Sequence, residues 1–222
     1  MGRRGAITPH LASPPMAVIH GEVASPALAD RLRQAGGVMV MRDGHQVAAH
    51  FGSIATEVAV CVKRVGLAVR SDLTAFDVVP DGWLASQVPS HGRARRIAGT
   101  WYCRVASDRA VLIGPRRDRS TLHKPERDRT VLALVGPKAH HVLADAGLQN
   151  GLEVGALRES WFAESPTILL RDSAASYLLV VDATEAAEAW RRLLDAGRSR
   201  GLSMVGAEAL ARLAAVPVAG IF

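Results

Sequence analysis

The clearest hydrophobic pattern lies in the second half of the chain. Residues 130–135 form an unbroken apolar run rich in branched side chains, which predicts a strand covered on both faces. Gly136-Pro137 ends that run and opens a helix whose inner face is Ala139, Val142, Leu143 and Ala146, stopped at Gly147. After a longer connection come strands at 167–171 and 177–181, joined by the small residues Ser173 to Ser176. Asp182-Ala183-Thr184-Glu185 offers a cap and an acidic first turn for a helix that turns Ala187, Trp190, Leu193 and Leu194 inward. Gly197 or Gly201 ends it, and residues 202–205 return as a strand. Residues 130–205 therefore predict one β-α-β-β-α-β unit, the split arrangement of ferredoxin-like folds, with helices on one face of an antiparallel sheet.

The first half is less regular. Ser25-Pro26 has the form of an N-cap with proline at the first helical position, and the helix it opens runs to Gln34 before Gly36-Gly37. A strand at 38–41 closes on the turn signal Asp43-Gly44. Ser53 caps a second helix whose buried stripe is Ile54, Val58, Cys61, Val62 and Val65, with Gly66 at the position after its end. Strands at 67–70 and 75–79, a short helix at 83–88, and strands at 100–105 and 110–113 follow, the last two joined by Ser107-Asp108-Arg109. No linker divides the halves. The expectation is one α+β domain over 16–222, built of interlocked lobes at about 38–129 and 130–222, after a disordered tail at 1–15.

Charge adds one feature. The net charge is +6, and the excess gathers at Arg93, Arg95 and Arg96 and in the stretch 116–129. That stretch sets Arg116, Arg117, Arg119, Lys124, Arg127 and Arg129 against three acids. It can meet an anionic ligand or an acidic protein partner, or it is a solvated hairpin loop whose charges neutralise one another. No aromatic residue interleaves the arginines, which argues against nucleic acid.

Cys61 and Cys103 sit in apolar segments without metal-ligand spacing, so they are expected in the core of a protein from a reducing, cytoplasmic compartment. No apolar run reaches the length of a membrane span. His140 and His141 are adjacent on a helix and cannot face one site, and no metal is expected. No phosphate-binding loop, dinucleotide fingerprint or Ser-His-Asp pattern is present.

Several segments, in order, resemble the folate-binding core of the glycine-cleavage T-protein (aminomethyltransferase) superfamily. His50-Phe51-Gly52-Ser53 followed by residues 57–67 is similar to its N-terminal helix and following strand. "LALVGPKAHHVL", residues 132–143, resembles its strand-Gly-Pro-helix element. "ILLRDSAASYLLVV", residues 168–181, stands where the family has an Arg, a Gly-rich turn and a strand, and residues 206–220 resemble its Gly-Ala-Arg-Asp helix. The superfamily includes the gamma subunit of heterotetrameric sarcosine oxidase and the YgfZ-type proteins. The length is closer to that gamma subunit than to the full T protein, whose further C-terminal β domain has no counterpart here.

The resemblance implies a T-protein-like folate-binding fold with tetrahydrofolate as ligand, in one-carbon transfer or as an accessory subunit of a sarcosine-oxidase-type enzyme. It leaves open a catalytically inactive member acting through protein contacts, and a biosynthetic enzyme that has reused the pocket. Two family carboxylates are replaced: Ala98 and Gly99 stand where T proteins have a pair of aspartates, and Ser173-Ala174-Ala175-Ser176 stands where they have Gly-Glu. The matching segments place Arg70, Asp72, Arg171 and Tyr177 nearest a ligand between the lobes, with Asp72 as the acid able to replace a lost carboxylate. Arg171 offers a fork for a carboxylate. Trp101 and Tyr102 alternate on one strand, so one faces inward and one outward, and Tyr102 is a candidate to stack on a flat heterocycle.

Overall fold

The computed structural model describes residues 25–115, 128–148 and 151–215. The tail expected at 1–15, most of the arginine-rich stretch and the last part of the 206–220 segment lie outside the described residues. The first elements are α1 (Pro26–Gln34), the hairpin β1 (Val38–Arg42) and β2 (His45–His50), and α2 (Ile54–Lys63). Next come β3 (Val65–Val69), β4 (Leu73–Val78), α3 (Gly82–Gln87), β5 (Ala94–Ile97), β6 (Thr100–Arg104) and β7 (Ala110–Pro115). The second half supplies β8 (Arg129–Val135), α4 (Ala139–Asp145), β9 (Leu157–Phe162), β10 (Ser165–Ser173), β11 (Ser176–Asp182), α5 (Ala186–Gly197), β12 (Leu202–Met204) and α6 (Ala207–Ala215). The fold is α+β.

Strands β4-β7-β6-β5 form an antiparallel four-stranded sheet, and β12-β3-β8-β11-β10-β9 a six-stranded one in which only β12 and β3 run parallel. This corrects the expectation of a self-contained unit over 130–205. β3, from the first half, lies between β12 and β8, and the unexpected β9 pairs with the outer edge of β10. β3 pairs Gly66, Leu67, Ala68 and Val69 along β8, and the three-residue β12 pairs the other edge of β3.

The six-stranded sheet is covered on both faces, which is why β8 reads as a continuous apolar run. Alternation sends Leu132 and Leu134 to one core with Leu28, Val142, Trp190 and Leu193 of the helices. Val131, Ala133 and Val135 go to the other, against Trp101, Cys103 and Ile113 of the four-stranded sheet and Leu213 of α6. Both cysteines are buried there, and burial lifts each thiol to about 12, with the Glu57 charge adding to the effect at Cys61.

The second helix departs from expectation in an informative way. It ends at Lys63, Val62 is 47% exposed, and the buried residues of α2 are Glu57 and Cys61. Gly66 lies inside β3 rather than capping the helix. A Cβ there would lie 2.7 Å from the Cys61 sulfur and 2.8 Å from Val205, so this glycine answers a close approach and not a turn. Glu57 is a staple. Its Oε1 accepts from the Phe51 backbone N–H and its Oε2 from that of Gly206, both at 2.7 Å, tying the end of β2 to the start of α6.

Three hairpins turn on two residues with positive φ: Asp43-Gly44, Ala98-Gly99 and Ala163-Glu164. The last pair has no glycine, and Glu164, at φ 64°, reaches only an exposed ion pair with Arg192. The Glu164→Gly variant should gain about 1 kcal/mol by removing left-handed strain, a rise of roughly 2–4 °C in Tm by calorimetry. An unchanged or lower Tm would contradict this account of the turn.

Candidate functional site

Three turns and strand ends bring polar side chains together beside the core between the two sheets. Arg70 follows β3, where its N–H donates to the Val131 carbonyl (2.8 Å) and its carbonyl accepts from Leu73 N–H (2.9 Å). That tight turn folds Asp72 back under the guanidinium. Arg70 Nε donates to Asp72 Oδ1 at 2.8 Å and Nη2 to Oδ2 at 2.7 Å, a two-pronged pair. Burial works against both charges, yet this pairing outweighs it: the Arg70 guanidinium is raised and the Asp72 carboxyl lowered, with Arg42 adding to the latter. Both stay ionised across the physiological range.

The second carboxylate is Asp172. Strands β10 and β11 pair Arg171 with Tyr177 and Ser173 with Ser176, leaving Asp172 as the extra residue of a β-bulge. Bulges re-aim a side chain that regular alternation would place elsewhere. This one sets a carboxyl within the field of Arg70 and Arg96 and beside the Ser176 hydroxyl, which hydrogen-bonds to it. Asp172 Oδ1 and the neighbouring Ser173 Oγ are buried without a hydrogen-bond partner. Burial pushes the Asp172 carboxyl up, and Ser176 and the two arginines only partly offset it. A buried acceptor left open costs free energy unless something fills it. Arg96 in turn lies over the Trp101 ring, 5.8 Å from its centre, and Trp101 is buried between the sheets.

Of the residues singled out from sequence, the structure brings Arg70 and Asp72 together. Arg171 and Tyr177 meet each other instead, guanidinium over ring at 5.6 Å, and Tyr177 packs in the helix-side core. Arg171 spends three donors on backbone carbonyls: Nη1 on Leu152 (2.7 Å), Nη2 on Ala174 (2.8 Å) and Nε on Ser173 (3.3 Å). It holds the 173–176 turn against the 152 segment and keeps at most two N–H donors for anything else. Tyr102 alternates with Trp101, so its ring lies on the opposite face of the four-stranded sheet from Arg96 and Trp101's interior side. Ala98 and Gly99 form the β5–β6 turn. Among the described residues no group of three or more His, Cys, Asp or Glu could hold a metal ion, and His140 and His141 stack on each other, centres 3.8 Å apart.

Sequence reasoning missed Asp172, Ser176 and Arg96. The signal for Asp172 was present: an acid interrupts an apolar strand just before a turn of small residues, the place where a bulge is tolerated. Nothing local in the sequence marks Arg96.

The site's chemistry is that of a recogniser. An open carboxylate oxygen can accept from a ligand N–H, while Arg70, held by Asp72, presents positive charge to a carbonyl or an anion.

No protein-family description matches the sequence, and neither does any curated protein. Solved structures do. The fold is similar to that of glycine cleavage system aminomethyltransferase T from Bartonella henselae, with a TM-score of 0.68 over 85% of this chain at 19% identity. It is also similar to heterotetrameric sarcosine oxidase from Corynebacterium sp. U-96, solved in complex with pyrrole 2-carboxylate, with a TM-score of 0.54 over 68% of this chain and 93% of that one, again at 19% identity. The chain spans about 60% of the length of the aminomethyltransferase. What these likenesses establish is the architecture alone: the chain is similar in fold to both structures.

Proposed function

We propose that the chain is a diverged T-protein-like protein that binds tetrahydrofolate or a related reduced heterocycle at the Arg70–Asp72–Asp172 cluster, working in the cytoplasm in one-carbon metabolism. The observation that carries this reading is the buried, unpartnered oxygen of Asp172, aimed by a β-bulge beside a guanidinium already fixed by Asp72. A folate-type ligand supplies the nitrogen that carries a one-carbon unit, and its heterocycle offers an N–H edge next to a carbonyl. The residue types present suit such an edge: an acceptor on Asp172 and a donor on Arg70. Asp172 Oδ1 accepts from the N–H, Arg70 faces the carbonyl, and Asp72 keeps the guanidinium oriented and its charge matched. The β8, β11 and β10 strands hold the bulge at one end of the six-stranded sheet. Active transfer and an accessory role in a sarcosine-oxidase-type enzyme both use this binding step.

Asp172→Asn separates a binding role from a packing role. The folded-state pKa of Asp172 lies above its unfolded value, so its contribution to stability is greatest below the ordinary carboxylate range and declines as pH rises through the raised value. Asparagine escapes that decline. The variant should melt higher than wild type at pH 8, with the gap closing toward pH 4, yet show a smaller thermal shift than 5-methyl- or 5-formyl-tetrahydrofolate gives the wild type. A wild type that shows no shift with either ligand, well above usual cofactor concentrations, overturns the reading.

A further inference from the structure

Beside the Asp172 bulge, across the 173–176 turn, one end of the six-stranded sheet gathers positive charge. The register brings the starts of β12, β3 and β11 to the end of β8: Leu202 pairs with Val65, Gly66 with Val135, and Val135 with Ser176. Glycines close the packing there. A Cβ on Gly136 would lie 2.4 Å from the Arg64 carbonyl oxygen, and one on Gly201 would lie 3.0 Å from Arg64 Cδ. Lys138 N–H donates to the Arg64 carbonyl at 3.1 Å. Arg200 binds Asp145 through two hydrogen bonds, at 2.6 and 3.0 Å, and the charges of Arg200 and Arg171 both bear on His140.

Arg64, Lys138, Arg171 and Arg200 thus gather at one end of the sheet with two acids, Asp145, held by Arg200, and Asp172, bonded to Ser176. Among the described residues no carboxylate pairs with Arg64, Lys138 or Arg171. Between them lies the uncharged turn 173–176, whose Ala175 carbonyl accepts from Gly136 N–H at 2.7 Å. Like charges set side by side around a small-residue floor repel one another and fit a partner of opposite sign that can approach the backbone closely.

We propose that this end of the sheet docks an acidic polypeptide segment of another protein. A single nucleic-acid strand would need flat rings to stack on, whereas His140 and His141 stack on each other and Tyr177 is buried beneath Arg171. The surface adjoins the ligand site through the 173–176 turn, but it needs no folate, and its test reads peptide binding and not the ligand.

The test titrates the full chain against a fluorescein-labelled glutamate-rich peptide at low salt, read by anisotropy. Saturable binding is expected. It should weaken about tenfold or more in the Arg64→Glu/Lys138→Glu double variant, confirmed folded by circular dichroism, and stay within about twofold in Arg95→Glu, which reverses an exposed arginine on β5. Absence of saturable binding overturns the proposal, as does an equal loss in Arg95→Glu. Tighter binding of a charge-matched oligothymidylate overturns it in favour of nucleic acid.

Discussion

Replacing Glu57 by alanine should cost about 4 kcal/mol, because it strands two buried backbone donors at once, each worth roughly 1–3 kcal/mol when its partner is removed. The carboxylate accepts from Phe51 N–H and Gly206 N–H at 2.7 Å each, so one side chain on α2 fixes the exit of β2 and the entry of α6. Gly206 cannot shift to find another acceptor. A Cβ there would already lie 2.0 Å from the Ala49 carbonyl oxygen, which shows how tightly the α6 entry presses on β2. The negative charge also sits at the N-terminal end of α6, where the peptide dipoles favour it. Glu57→Gln keeps one acceptor oxygen and sets an amide donor against a backbone donor, so it should fall between wild type and alanine. For a chain of this size the alanine variant should melt roughly 8–16 °C lower in a calorimetric scan. A drop of about 2 °C or less would mean the two donors find water, and the staple would not be structural.

The second large effect is expected at Gly136, whose φ of 135° is open to glycine and strained for every other residue. A Cβ would lie 2.4 Å from the Arg64 carbonyl oxygen and 2.7 Å from that of Cys61, both backbone atoms at the end of α2 that cannot rotate away. Gly136→Ala must therefore separate β8 from α2 or abandon the hydrogen bond from Gly136 N–H to Ala175 O. The cost should exceed about 4 kcal/mol, in the range reserved for backbone strain and core overpacking combined. Denaturant titration should show a midpoint well below wild type at an unchanged slope, or no folded protein at all. A midpoint within experimental error of wild type would contradict the close approach. The same contact explains the Gly-Pro after β8 better than a helix signal does, since α4 begins only at Ala139.

These two residues show where the fold was legible and where it was not. The apolar run of β8 and the period of α5 announced themselves because both depend on which face of one element is buried, and periodicity carries that directly. Gly66 and Gly136 read locally as a helix end and a helix start. Their real reason is non-local, the approach of α2, Cys61 and Val205 from other parts of the chain. β9 was missed because its buried pattern is broken by Arg158, Glu159 and Trp161, as suits an edge strand half open to water. The insertion of β3 between β12 and β8 is a matter of strand pairing, which no single segment's pattern encodes.

Arg70 and Asp72 were singled out through the matching segments, and in the structure the turn sets them against each other. Arg171 and Tyr177 also stand together, but they spend their chemistry on each other and on the 173–176 turn. Asp172 joins the site through a one-residue bulge, a displacement that strict alternation hides. Arg96 and Trp101 enter from the other sheet.

The central claim is that the open oxygen of Asp172 and the fixed guanidinium of Arg70 recognise a reduced folate. Isothermal titration of the full chain with 5-formyl-tetrahydrofolate, run beside Asp172→Asn and Arg95→Glu, tests it most directly. One saturable site is expected in the wild type and in Arg95→Glu, weakened about tenfold or more in Asp172→Asn, where the bond from the ligand N–H keeps an acceptor but loses its charge assistance. Wild-type binding that Asp172→Asn leaves unchanged, or no binding at all, would contradict it.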